Sequence, residues 1–251
     1  MNIKISIITV CRNSAFFLEE TIKSVIGQTY SNIEYIIIDG KSTDATIDII
    51  KKYSSDLSYW VSEEDKSMYD AINKGLKIAT GEYILILNSD DMLANELAIE
   101  KVVEEIKKEK LDYYYGNIIK LKKNNPVYIK LFQTNYWQLL YSTHGNFVSH
   151  PCFFISAKLN QQLGGYDLLY EYASDYDYIL KALNTKNTRG RYIPIYITIF
   201  RVHENSITAS GKIDNERKAI LSSNGYYKLS KIKRVINFYA LWGYYKMINL
   251  I

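Results

Sequence analysis

The stretch Gly81 to Asp91, Gly-Glu-Tyr-Ile-Leu-Ile-Leu-Asn-Ser-Asp-Asp, constrains this chain most. Tyr83 to Leu87 is an unbroken apolar run of buried-strand length, opened by a glycine. The run stops abruptly at Asn88, Ser89, Asp90 and Asp91. A strand buried on both faces that ends in two carboxylates puts negative charge at its C-terminal edge. In open parallel sheets that edge is where ligands bind. Adjacent carboxylates repel, so both stay ionised only beside a positive charge. A hard divalent cation with oxygen ligands meets that need, and such a cation commonly carries a diphosphate. A plain loop whose aspartates cap a helix near Ala94 to Lys110 fits this stretch equally well.

The rest of the chain supplies the context. Ile3 to Val10 reads as a β-branched buried strand. Ser14 is placed to cap a helix running to about Gln28, with Phe17, Leu18, Ile22, Val25 and Ile26 on one face. Glu34 to Ile38 is a second strand, ending in Asp39-Gly40, and Ser42 or Thr43 can cap a second helix. Tyr59 to Ser62 is a third strand, and Met68 to Ala79 a third helix. Strand and helix alternate from the first residue, which predicts an α/β fold with a mostly parallel sheet. Beyond Lys110 the pattern loosens. Strands are expected at Asp112 to Leu121, Val127 to Phe132, Cys152 to Ile155 and Tyr192 to Val202. Helices are expected at Ala157 to Leu163, stopped by Gly164-Gly165, and at Asp175 to Leu183. The expected organisation is one domain over 1–212, in two halves at 1–110 and 111–212. A C-terminal helical segment follows at 213–251.

Composition sets bounds. With 251 residues and 47% hydrophobic content a full core is expected. A net charge of +4 is too weak to indicate nucleic acid. The two cysteines, Cys11 and Cys152, make neither a disulfide framework nor a zinc cluster and fit a reducing cytoplasm. The N-terminal apolar stretch is too short and interrupted for a signal peptide, and no apolar run reaches membrane-spanning length. Tyrosine is abundant, at 24 residues, which suits carbohydrate stacking or a membrane interface.

Four strand ends carry polar groups: Thr9 to Asn13, Asp39, Ser62 to Lys66 and Asn88 to Asp91. If the strands are parallel neighbours, these groups converge on one crevice. No Gly-x-Gly-x-x-Gly follows the first strand. Gly40-Lys41-Ser42 lacks the earlier glycine of a phosphate-binding loop, because Tyr35 stands there. Neither a nucleophile elbow nor His-Glu-x-x-His is present.

Several ordered segments match a known pattern: 6–13, 37–46, 62–75, 87–91, 149–154, 164–167 and 174–180. On these the chain, from roughly Lys4 to Thr208, resembles the family 2 glycosyltransferases of the GT-A fold. Within them it is similar to the branch of O-antigen and capsule biosynthesis. The resemblance implies nucleoside contacts at Thr9 and Asp39, with Cys11 and Asn13 in the same donor-binding segment. It implies a ribose contact at Asp90, a metal ligand at Asp91, a donor contact at Lys66 and a catalytic base at Asp175. His203 is a candidate to complete the metal shell, although a surface strand residue fits it as well. His150 either orders a turn or touches an acceptor. The pattern departs from the family at Ala45 and Ser67, where glycine is usual, and at Val202 to Ser206.

The function so implied is nonprocessive, inverting transfer of one sugar from a nucleotide-sugar donor, with UDP expected. The acceptor would be a hydroxyl of a polyprenyl-diphosphate-linked glycan, and Mn²⁺ or Mg²⁺ the cofactor. Nucleotidyl transfer on a related fold, or a noncatalytic glycan- or lipid-binding module, are the alternatives. From Lys231 to Met247, Lys and Arg alternate with aliphatic and aromatic residues. That pattern suits a helix lying on the inner face of the cell membrane as well as one packed on the domain. The protein is thus expected to be cytoplasmic and peripheral to the membrane.

Overall fold

The computed structural model describes residues 2–123, 125–141, 148–202, 213–224 and 226. The first half runs β1 (Ile5–Cys11), α1 (Leu18–Ile26), β2 (Ile33–Asp39), α2 (Thr46–Lys52), β3 (Tyr59–Ser62), α3 (Met68–Ile78) and β4 (Tyr83–Ile86). The second half runs β5 (Met92–Leu93), α4 (Ala98–Lys108), β6 (Tyr113–Lys122), β7 (Asn125–Ile129), α5 (Tyr136–Tyr141), β8 (Phe153–Ser156), α6 (Ala157–Leu163), α7 (Ser174–Asn184), β9 (Gly190–Val202) and α8 (Ile213–Ser223).

The strands form one sheet in the order β3-β2-β1-β4-β8-β6-β9-β5, with β7 paired to β6. The first four are mutually parallel. Beyond them β8 runs antiparallel to β4 and β6, and β9 returns parallel to β6. The parallel half follows from sequence: β1, β2 and β4 are apolar runs buried along their lengths, as strands covered on both faces must be. Helix α3 lies against β1 and β2. Gly75 permits that approach, since a Cβ there would come within 2.5 Å of Ile8. Tyr113, Tyr114 and Tyr115 are buried and pack, as aromatic rings in a central strand would.

A polar knot ties the amino ends of β1 and β2 to the turn before β4. The Glu34 carboxylate accepts from Lys4 Nζ at 2.7 Å, Ser6 Oγ at 2.6 Å, and Thr80 N and Oγ1 at 2.7 and 2.6 Å. Burial pushes the Glu34 carboxyl up, but the bonds from Lys4, Ser6 and Thr80 outweigh it and hold it down at about 2.

Two helix starts differ from expectation. Ser14 does not cap α1 with its side chain. Its carbonyl takes the N–H groups of Phe17 and Leu18 at 3.1 and 3.0 Å, while its hydroxyl bonds Ser89 and the Arg12 carbonyl. Residues 15–17 form a turn and the helix begins at Leu18. Ser42 and Thr43 do not cap α2, because the Ser42 hydroxyl is drawn to Asp39 and the Asp44 carboxylate takes the Thr46 N–H at 3.0 Å. Ser67 does cap α3, accepting from Asp70 N at 3.2 Å. Gly164, at φ +78°, closes α6 in the left-handed conformation expected of it. The short strand β5 and helix α5 were not expected. β5 exists because β9 offers it an antiparallel edge.

His203 and the segment from Lys231 to Met247 lie outside the described residues. Helix α8 packs on the domain, with Ile220 fully buried in the common core. Among the described residues no helix is long and apolar enough to cross a membrane.

Candidate active site

The parallel register brings the polar strand ends together. Cys11 stands opposite Asp39, and Asp39 opposite Ser62, at the carboxyl edge of three adjacent strands. Asp39 is fully buried. Its carboxylate accepts from Ser42 N at 2.9 Å, Ser62 Oγ at 2.6 Å, Cys11 Sγ at 3.6 Å and the Ser42 hydroxyl. This knot fixes the loop after β2 against β1 and β3. Burial, then the nearby Asp39 carboxylate, push the Cys11 thiol far above its ordinary range, so it stays a neutral donor.

A crevice of ≈ 750 Å³ opens beyond this edge. Its walls are the turn from Cys11 to Phe17, the start of α3 with Asp65, Ser67 and Tyr69, and the loop of Asn88, Ser89 and Asp90. His150, Tyr172, Asp175, Phe200 and Ile213 close its far side. Asn13 sits at φ 51°, and its side-chain oxygen accepts from Thr43 N at 2.9 Å. That bond suits the tolerance of asparagine for the left-handed region. Burial raises the Asp65 carboxyl, with Lys74 and Arg12 opposing. Lys66 is exposed between Asp65 and Ser67, and its backbone N–H bonds Asp70 at 3.0 Å.

Thr9 is not part of the crevice lining. It is fully buried, and its hydroxyl shares a hydrogen bond of 3.2 Å with the Tyr35 hydroxyl. It supports β1 from within, one pleat deeper than Cys11.

Asp175 is the second residue of α7 and faces the crevice half-buried. Its Oδ1 accepts from Tyr176 N at 2.8 Å and Tyr69 OH at 3.3 Å. Tyr69 is held in turn by a stack of Tyr69, Tyr166 and Tyr178, with centroids 5.7 and 4.1 Å apart. His150 Nε2 bonds the Tyr166 hydroxyl at 2.6 Å. Burial keeps the His150 imidazole below its ordinary range, against the pull of Asp175. A second pocket of ≈ 210 Å³ lies on the other side of Asp175, sharing Asp175, His150, Pro151, Phe200 and Ile213 with the crevice. Lys120 and Arg217 line it beside an apolar wall that includes Leu139 and Ile179. The Asp175 carboxylate therefore borders both spaces.

Residues 6–163 match the model of glycosyl transferase family 2. The chain belongs to this family. The PGL/p-HBAD biosynthesis glycosyltransferase of Mycobacterium tuberculosis is 28% identical over 199 residues, 78% of this chain and 75% of the relative. An Escherichia coli enzyme, UDP-Glc:alpha-D-GlcNAc-diphosphoundecaprenol beta-1,3-glucosyltransferase WfaP, is 29% identical over 252 residues, 98% of this chain and 94% of that one. Among solved structures, Staphylococcus aureus TarS 1-349 with UDP-GlcNAc superposes at a TM-score of 0.73 and 17% identity, covering 95% of this chain and 71% of TarS. The mannosyltransferase PcManGT from Pyrobaculum calidifontis, with GDP-Man and Mn²⁺, superposes at 0.63 and 17%, covering 95% and 74%. The fold is that of the GT-A glycosyltransferases, and the chain is a glycosyltransferase.

Asp90 and Asp91 turn out to be chemically different. Asp90 lines the crevice. Asp91 is fully buried: its Oδ1 takes the Arg201 backbone N–H at 3.1 Å, and its Oδ2 is buried with no hydrogen-bond partner among the described residues. Burial, and then the Asp90 charge, push the Asp91 carboxyl well above the usual carboxylate range. A buried carboxylate oxygen without a partner, beside a second carboxylate, fits a hard cation. No cluster of three ligating side chains occurs among the described residues. Further ligands would come from a bound diphosphate or from beyond those residues.

Several residues make contacts at the site that the sequence did not reveal. Ser42 and Ser62 hold Asp39, and only their places near strand ends signalled a role. Tyr69 and Tyr166 support Asp175 and His150. The Arg201 guanidinium bonds Glu20 at 2.6 Å and covers the Phe17 ring at 4.4 Å, pinning α1 to β9 beside Asp91.

Proposed function

We propose that this glycosyltransferase moves one sugar from a nucleotide diphosphate donor, UDP-linked, to a hydroxyl of a lipid-diphosphate-linked glycan in bacterial surface polysaccharide synthesis, with inversion at the anomeric carbon. The observation that carries this is Asp175, set at the junction of the ≈ 750 Å³ crevice and the ≈ 210 Å³ pocket. The crevice is the donor side: it opens at the carboxyl ends of the parallel strands, where nucleotides bind in such sheets. Cys11, Asn13 and Asp90 line that end, with Asp39 buried beside Cys11 and Lys66 exposed between the lining residues Asp65 and Ser67, and these five are the donor-contacting residues of this reading. To take a uracil N–H, Asp39 would exchange one of its serine donors.

Both hydrogen bonds that described residues give Asp175 go to Oδ1. Oδ2 is then the atom that takes the acceptor proton as the hydroxyl oxygen attacks the anomeric carbon. The glycosidic bond forms as the bond to the diphosphate oxygen breaks, from opposite faces, which inverts configuration. A divalent cation, Mn²⁺ or Mg²⁺, held by Asp91 with Asp90 beside it and His203 as a further candidate, would neutralise charge on the departing diphosphate.

The acceptor side supports an anionic, lipid-linked acceptor. Lys120 and Arg217 place positive charge beside apolar residues. WfaP, similar over nearly its whole length, is named for a diphosphoundecaprenol acceptor. The Lys231 to Met247 pattern would bring the enzyme to the membrane surface where such acceptors reside.

The test is a panel of nucleotide sugars with Mn²⁺, scored for release of free nucleoside diphosphate with and without a lipid-diphosphate glycan. One donor should give slow hydrolysis that the acceptor accelerates. Release of sugar phosphate in place of UDP would point to nucleotidyl transfer, and no turnover of any donor would refute the reading.

A further inference from the structure

Asp175 lies beyond the 6–163 stretch that the family model matches, and so do the backbone segment just before it and the carboxylate that bonds that segment. Helix α7 has no side-chain cap of its own: Ala173 stands at its N-cap position. Residues 171–173 instead point three successive backbone N–H groups at one carboxylate. Glu216, on α8, accepts from Glu171 N at 2.8 Å, Tyr172 N at 2.7 Å and Ala173 N at 2.8 Å. These are charge-assisted bonds to otherwise orphaned donors ahead of a helix N-terminus, where an anion is also favoured by the helix dipole. Ala173 is fully buried and Tyr172 lines the donor crevice, so the clamped segment belongs to the site wall. Asp175 follows two residues later.

Glu216 is itself anchored. Ile220, one turn on, is fully buried in the core. Arg217 lies over the Tyr176 ring at 4.7 Å and lines the smaller pocket. The helix that carries Glu216 thus grips both flanks of Asp175, the segment before it and the ring after it.

We propose that Glu216 is a positioning residue for the transfer reaction: its carboxylate fixes the backbone of 171–173 and, through it, the Asp175 carboxylate between donor and acceptor. This rests on the reading of Asp175 as the base. Released, the 171–173 segment has no other side-chain anion shown bonding its amides, and Asp175 drifts from the line of attack. Misplacement of a catalytic group by about 1 Å can cost on the order of a hundredfold in rate.

The experiment is a double-mutant cycle on the full chain, with Glu216→Gln and Glu216→Ala each made in the natural and the Asp175→Asn backgrounds. In the natural background Glu216→Ala should lower kcat on the order of tenfold or more, with donor KM changed less than about twofold. Glu216→Gln, which keeps one acceptor oxygen, should fall between and serves if the alanine variant does not fold. In the Asp175→Asn background both should change the residual rate less than about twofold, because a residue acting through the base is silent once the base is gone. Equal losses in the two backgrounds would show a general structural role and overturn the proposal, as would a folded Glu216→Ala with normal kcat. Hydrogen exchange supplies an arm independent of activity. The amides of 171–173 should exchange faster in the variants, and unchanged exchange overturns the clamp even in a protein that turns over no donor.

Discussion

Glu34→Gln offers the clearest test of how the sheet is held in the register that builds the crevice. The natural carboxylate takes four hydrogen bonds from Lys4, Ser6 and Thr80 at 2.6–2.7 Å. Glutamine keeps the shape and one acceptor oxygen, but its amide group meets donors and the charge opposite Lys4 disappears. The carboxyl is held at about 2 against an ordinary value of 4.5. At 1.36 kcal/mol per pH unit this corresponds to roughly 3 kcal/mol. Lys4 is 39% exposed on its side chain, so solvent screens part of that. The expected loss at pH 7 is about 2 kcal/mol, or roughly 4–8 °C in Tm for a chain of this size. The sign follows from the depressed folded-state value. The contribution is fully present above about pH 4.5, falls as the pH drops through the window, and is gone near pH 2. Urea melts of both proteins at pH 7, 5 and 3 measure the gap, and groups common to both cancel. A gap below about 0.5 kcal/mol at pH 7, or one that does not shrink by pH 3, would refute this account of Glu34.

Asp175→Asn should reduce transfer on the order of a hundredfold or more with donor KM little changed, measured by UDP release with acceptor present; loss of donor binding in its place would make Asp175 a binding residue. Mn²⁺ should raise Tm in the natural protein, by about 2.7 kcal/mol of stabilisation at a hundred times Kd, and Asp91→Asn should abolish the rise; full activity in excess EDTA would remove the metal from the reading. Full-length protein should pellet with anionic liposomes at low salt and be released as salt rises, because basic residues near such a surface contribute about 1 kcal/mol each. A chain ending at Ser230 that pellets equally would show that the last segment does not carry the membrane contact.

The crevice was legible because each strand that builds it is an apolar run with a sharp polar end. Cys11, Asp39, Ser62 and Asn88 mark where the apolar runs give way to polar groups, and parallel pairing then does the assembly. Thr9 shows the limit of that signal. It lies on the same face as Cys11, but two residues back along a strand is about 7 Å deeper, inside the layer. There its hydroxyl finds Tyr35. Asp175 stood out in sequence only through family resemblance, since an aspartate at a helix start is ordinarily a cap. Its support was not legible, because Tyr69, although inside a matching segment, bonds it from 106 residues away, and Glu216 lies beyond the resemblance, some 40 residues after it.

The acidic pair shows what long-range topology adds to a motif. In sequence Asp90 and Asp91 are two like charges whose repulsion calls for a cation. In the fold their environments differ, because β9 pairs with β5 and lays its backbone alongside Asp91. One oxygen of Asp91 is satisfied by the Arg201 N–H, while the Arg201 guanidinium bonds Glu20, and its charge lowers the Asp91 carboxyl less than burial and Asp90 raise it. The other oxygen is buried without a partner among the described residues, and the crevice-facing charge of Asp90 adds to the cost of ionising it. A direct ion pair between the guanidinium and Asp91 would have offset one of the two charges. The result is a carboxylate that burial and Asp90 make costly to ionise alone, so the proposed cation site at Asp91 rests on β9 as much as on the two aspartates.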